Sequence, residues 1–249
     1  MTASWTRQRW IAAAAGALAI AAAAATALAL RERPGDLPGR PPGERPELLL
    51  LTSLPIAFPE RFTLEDEGSA ALSALQSRYD LVPISTTDSR SLSGGRLLLM
   101  AQPHAQPAEM LVELDRWVRN GGHALVLADP ALEWPSELPL GDLARPPSSF
   151  PDTGLLAHWG LRLDSPEQTG PATFTVGGRA VHALSPGTLV ASTPQCQVGA
   201  GGLVARCTLG RGRATIIADA DFVDVERRRE PARSGNLDFL LAELARLEQ

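Results

Sequence analysis

Leu48 to Leu51 is an unbroken run of leucine, and a strand of that composition cannot show either face to water. A strand with one wet face alternates apolar and polar residues. A continuous apolar run belongs instead to a strand covered on both sides, the usual state in a parallel sheet. Ala124 to Ala128 and Thr215 to Ala218 have the same buried character, and Leu81 to Ile84 and Arg96 to Ala101 read as further strands. Helical spacing fills the gaps between them. Ala70, Leu72, Leu75 and Tyr79 recur at that spacing after Glu65, Asp66 and Glu67, whose charge favours a helix start. Pro107 opens a second helix with Met110, Leu111, Leu114, Trp117 and Val118 on one face, and Asn120, Gly121 and Gly122 stop it. Leu237, Leu240, Leu241, Leu244 and Leu247 line a closing helix. The alternation predicts an α/β fold: a mostly parallel, twisted sheet flanked by helices on both faces, Rossmann-like or flavodoxin-like in type.

Two stretches interrupt that pattern. Ala131 to Pro151 is rich in proline and turn residues and too long for an ordinary connection, so it reads as a surface excursion after the fourth strand. Leu155 to Trp159 reads as a short helix before Gly160. A β-rich insertion comes next, over about 165–212, with Thr173 to Val176, Thr188 to Ala191 and Leu203 to Leu209 as strands of an antiparallel addition. Within it, a two-residue turn at Gly201 and Gly202 would pair Cys196 with Cys207 across the ladder. In an oxidising compartment that pair is a disulfide; otherwise the two are small buried residues.

From Trp10 to Leu30 the chain carries no charge, and a run of about twenty apolar residues matches a bilayer core at helical rise. Residues 1–30 therefore read as an N-terminal transmembrane anchor. The alternative is a cleavable signal peptide, for which Ala25, Thr26 and Ala27 supply the small-x-small pattern. Either reading exports the remainder of the chain. Arg7 and Arg9 favour a cytoplasmic N-terminus, which predicts a single-pass protein of the bacterial inner membrane with its main domain in the periplasm. Residues 31–46 are rich in proline and glycine and predict an extended linker, leaving 47–249 as the exported α/β domain.

The net charge of -5 argues against a nucleic-acid partner. Every basic residue is arginine, so a P-loop, which needs its lysine, cannot be built. No G-x-S-x-G elbow and no CxxC occurs, and His104, His123, His158 and His182 are scattered without the spacing of a zinc helix. These observations predict neither catalytic machinery nor a cofactor nor a histidine-based metal site. The arginine-bearing runs Arg31 to Arg45 and Glu226 to Glu230 read as spacer and solvated loop, with lipid-head contact as the alternative.

The polar set with most chemical potential is Asp129, Asp219 and Asp221. Each lies just past a buried strand, and parallel sheets bind ligands beyond their carboxyl ends. Converging carboxylates would suit a hydrated divalent cation, an amine or a sugar hydroxyl. The competing reading is that each accepts backbone amides in its own turn.

The segment Met100 to Pro130, with Leu114, Asp115, Val118, Gly121, Gly122, Asp129 and Pro130, resembles the ABC-type uncharacterised transport system domain of gliding-motility auxiliary (GldG-like) proteins. Leu155, Leu156, Trp159 and Gly160 resemble that family's "LL..WG" element. Asp219 to Phe222 with Asn236, Asp238 and Phe239 resemble its "DxDF…N" ending. The resemblance runs from about Leu48 to the C-terminus. It implies a non-catalytic accessory or ligand-sensing subunit beside an ABC-type permease. The alternatives are a metal-assisted or acid–base enzyme using the strand-end carboxylates, and a structural envelope assembly protein.

Overall fold

The computed structural model describes residues 37–57, 68–229 and 231–249. The predicted anchor, the first part of the linker and the acidic residues Glu65 to Glu67 lie outside the described residues. In chain order the strands are β1 (Glu47–Thr52), β2 (Asp80–Pro83), β3 (Leu97–Ala101), β4 (His123–Leu127), β5 (Leu161–Asp164), β6 (Pro171–Val176), β7 (Arg179–Leu184), β8 (Thr188–Ala191), β9 (Cys196–Gly199), β10 (Val204–Leu209) and β11 (Gly212–Ile217). The helices are α1 (Ala70–Gln76), α2 (Ser89–Leu92), α3 (Ala108–Arg119), α4 (Leu155–His158) and α5 (Ala232–Leu247).

The main sheet has the order β2-β1-β3-β4-β11-β10-β9. Neighbours from β2 through β11 are parallel, and β10 and β9 extend the sheet in antiparallel fashion. This is the expected α/β class, a mostly parallel core with an antiparallel end. Because successive side chains on a strand point to opposite faces, each leucine run feeds two cores. Leu48, Leu50, Leu97, Leu99, Leu125, Leu127 and Ile217 join α1, α5 and the β6–β7 hairpin on the first face. Leu49, Leu51, Leu98, Met100, Ala124, Val126 and Ile216 join α2, α3, α4 and the β5–β8 ribbon on the second. Each fully buried leucine stabilises the fold by roughly 1.5–3 kcal/mol over its exposed state.

Local chemistry sets the boundaries. The Ser69 hydroxyl accepts the Leu72 amide at 2.9 Å and caps α1, and Asp88 caps α2, a single turn not foreseen from sequence, by accepting the Ser91 amide at 2.9 Å. Gly121, at φ +108°, ends α3 in a left-handed conformation that other residues adopt only under strain. Gly212 starts β11 against the carbonyl oxygens of Val118 and Gly122, which occupy the space a Cβ would take.

Three readings change. The β-rich insertion is not one antiparallel addition: β5–β8 and β6–β7 are separate ribbons on opposite faces, while β9 and β10 extend the main sheet. The linker reading gives way at Leu37, where the compact unit begins. The Arg40 amide donates to the Ser77 carbonyl at 2.8 Å, and its guanidinium pairs with Glu248 at 2.6 Å, so this arginine-bearing stretch packs on the domain. Finally, the turn joining β9 to β10 is not a two-residue Gly-Gly hairpin but a longer connection with a 3-10 turn at Ala200–Gly202. The register is nonetheless the expected one: Cys196 faces Cys207, the two are bonded, and their Cα atoms lie 4.0 Å apart.

Two outcomes test this packing. Gly212→Ala should destabilise the protein by about 1–3 kcal/mol in urea denaturation, since the opposing atoms are backbone and cannot rotate away. Thiol titration of the unreduced, denatured protein should find no free cysteine, and reduction should cost about 2–4 kcal/mol of stability.

Candidate functional site

β4 and β11 are adjacent and parallel, with Leu127 opposite Ile217, so the residues just past their ends are delivered side by side. Asp129, Asp219 and Asp221 therefore converge, and all three are buried. Five of their six oxygens are occupied by main-chain amides. Asp129 Oδ1 accepts the Ala131 amide at 2.8 Å, and its Oδ2 accepts those of Ala220 at 2.8 Å and Asp221 at 3.4 Å. Asp219 accepts the Phe222 amide at 2.6 Å on Oδ1 and the Leu184 amide at 2.7 Å on Oδ2. Asp221 Oδ2 accepts the Glu133 amide at 2.7 Å, while its Oδ1 is buried with no hydrogen-bond partner among the described residues. Chemically, the set fastens three segments to one point: the start of the 131–151 excursion, the end of β7 and the turn after β11. Among the described residues, no group of three or more His, Cys, Asp or Glu side chains is arranged to hold a metal ion.

Several participants were not among the site residues read from the sequence, Asn236 having entered only through the GldG-like resemblance. Gln102, just past β3, is buried at φ +42°. Its side-chain amide donates to the carbonyls of Asp129 and Pro147, both at 3.0 Å, and its Oε1 accepts the Asp129 amide at 2.9 Å. Glu133 accepts the Ser185 hydroxyl, and Ser185 Oγ accepts the Gly170 amide at 2.8 Å, which ties the excursion to the β6–β7 hairpin. Asn236 on α5 donates to the carbonyls of His182 at 2.9 Å and Phe222 at 2.7 Å, and accepts the His182 amide at 2.8 Å. A glutamine between a strand and a proline carries no mark in sequence that would single it out.

A second concavity lies on the other face. α3 and α4 flank a groove of about 340 Å³ lined by Leu111, Val112, Asp115, Leu155 and His158. Asp115 is its polar centre: it accepts the Trp159 indole N–H at 3.0 Å and the Arg119 Nε at 2.9 Å, with His158 Nε2 at 3.4 Å. Burial pushes the Asp115 carboxyl up, but these partners outweigh it and hold it below the usual carboxylate range.

The strand-end carboxyls go the other way. Burial raises Asp129, with Glu133 adding to the effect. Burial and the neighbouring Asp129 and Asp221 raise Asp219 well above its ordinary value. Asp221 is pushed up to about 7, by burial first and then by the charges of Asp129, Asp224 and Glu133.

No protein-family model matches the chain, and no curated protein matches it. Among solved structures, the chain is similar to the N-terminal domain of mmIFT52, with a TM-score of 0.52 and 16% identity over 79% of this chain and 96% of that one. It is also similar to part of the exo-beta-1,4-mannosidase Op5Man5 from Opitutaceae bacterium strain TAV5, with a TM-score of 0.52 and 15% identity over 80% of this chain. The chain spans 36% of the length of that mannosidase. At such identities the likeness is one of fold.

The raised Asp221 carboxyl makes a signed prediction. Below about pH 4 the group is protonated in both folded and unfolded chains and contributes nothing. As pH rises the unfolded chain releases the proton first, so the wild type loses stability until about pH 7, where the folded group also ionises. Asp221→Asn keeps an oxygen for the Glu133 amide and cannot ionise. Its melting temperature should therefore gain on the wild type as pH is raised from about 4 to about 7. A difference that stays flat across that window would contradict the assignment.

Proposed function

We propose that this chain is a membrane-anchored, exported, non-catalytic subunit whose α/β domain binds a partner protein of an ABC-type transport system. The observation that carries this reading is the 131–151 excursion. Its base is fixed by Leu132 donating to the Ser148 carbonyl at 3.0 Å and by Leu132 and Trp134 packing into the first core. Its tip is ordered by the Asp142 amide donating to Pro139 at 3.2 Å and by Asp142 Oδ1 accepting the Ala144 amide at 2.8 Å. On this tip Leu140 and Leu143 are 86% and 91% exposed. Large apolar side chains held out on an ordered loop serve as anchors for a partner more readily than as solvent-facing residues.

Three further observations support the reading. The uncharged run Trp10 to Leu30 is long enough to span a bilayer. A disulfide between Cys196 and Cys207 suits an oxidising compartment such as the periplasm. The strand-end carboxylates spend five of their six oxygens on main-chain amides, which supports a positioning role. On this reading the carboxylates hold the excursion in place and the excursion meets the partner.

The expected outcome is that full-length protein extracted in mild detergent brings down ABC-type permease subunits, and that Leu140→Ser with Leu143→Ser reduces their recovery at least about tenfold with an unchanged melting temperature. Recovery unaffected by the double substitution would remove the loop from the interface.

A further inference from the structure

We propose that the polar end of the main sheet, on the α5 side, is a binding site for a phosphate-type oxyanion. Along most of the sheet this face is apolar, and the pattern changes at its antiparallel end. Residues two apart on a strand share a face, so Gln195 and Gln197, Arg206 and Thr208, and Arg213 and Thr215 form two polar rows. The first is Gln197–Arg206–Thr215 and the second Gln195–Thr208–Arg213, fixed by the β9–β10–β11 register and by the Thr208 amide donating to the Gln195 carbonyl at 2.9 Å. The last turn of α5 walls this grid with Arg246 and Leu247, leaving a cavity of about 500 Å³.

The charge inside is unbalanced. Of the three guanidiniums that line the cavity, that of Arg206 is paired with Glu243 on α5, at 3.0 Å between Nε and Oε2. Arg246 reaches the same carboxylate only at 3.9 Å. Arg213 has no carboxylate partner among the described residues. His123, directly across the register from Arg213, has a buried Nδ1 with no hydrogen-bond partner among the described residues. An antiparallel end exposed merely to water is the plainer explanation for polar side chains. It does not explain why a chain of net charge -5 gathers three arginines around one concavity. Guanidinium forks match phosphate oxygens in pairs, and the Thr208 hydroxyl and the two glutamine amides offer further donors.

The oxyanion can belong to a free solute or to a lipid head, and the test separates them. Full-length protein in neutral-detergent micelles is melted with and without pyrophosphate, then in micelles doped with phosphatidylglycerol. Pyrophosphate should raise the melting temperature in a saturable, salt-sensitive manner if the ligand is a solute. If only the doped micelles raise it, the ligand is a lipid head. In either case R213Q with R246Q should weaken binding at least about tenfold while leaving the ligand-free melting temperature unchanged, because neither side chain holds a close ion pair. Absence of a shift with both probes, or an equal shift in the double variant, overturns the proposal.

Discussion

Covering one sheet on both faces is the constraint that dictates the remaining architecture. Strands of continuous leucine and isoleucine have no face to give to water, so helices must pack on each side, and parallel neighbours need crossovers long enough to supply those helices. α1 and α5 close the first face, and α2, α3 and α4 close the second. Beside the last turn of α5 the first face turns polar, with Arg206, Thr208, Arg213 and Thr215. The same geometry brings the carboxyl ends of β4 and β11 together, and with them the aspartates that fasten the loops.

Much of this was legible in the residues because it depends on local periodicity. The central strands, α1, α3 and α5, the Gly121 stop and the pairing of Cys196 with Cys207 all come from spacing within a few positions. The single-turn α2 and the strands β5 and β7 did not stand out, being short pieces whose stability comes from what they pack against. The candidate site divides in the same way. Asp129, Asp219 and Asp221 stand at strand ends and could be named in advance. Gln102 and Ser185 act on partners 27 and 52 residues away, which no local pattern encodes.

Several of the residues on which the expected GldG-like resemblance rests are hydrogen-bonded to one another. Asp115 of α3 holds the Trp159 indole, and the turn from Asp219 to Phe222 is closed by Asp219 at one end and by Asn236 at the other. The Asp115–Trp159 and Asn236–Phe222 pairs cross between elements, and a hydrogen bond tolerates far less displacement than a leucine contact does. Such residues set the relative placement of layers. A pattern of this kind therefore reports architecture, and sequence chemistry specific to one partner would lie on the exposed loops instead.

The bond between Cys196 and Cys207 lies at the rim of the sheet, where an outer strand has hydrogen bonds on one side only and is normally the first to fray. Joined covalently to its inner neighbour, β9 cannot peel away alone. Any opening from that margin must carry β10 with it and break the ladder to β11. The margin therefore opens as a single cooperative block.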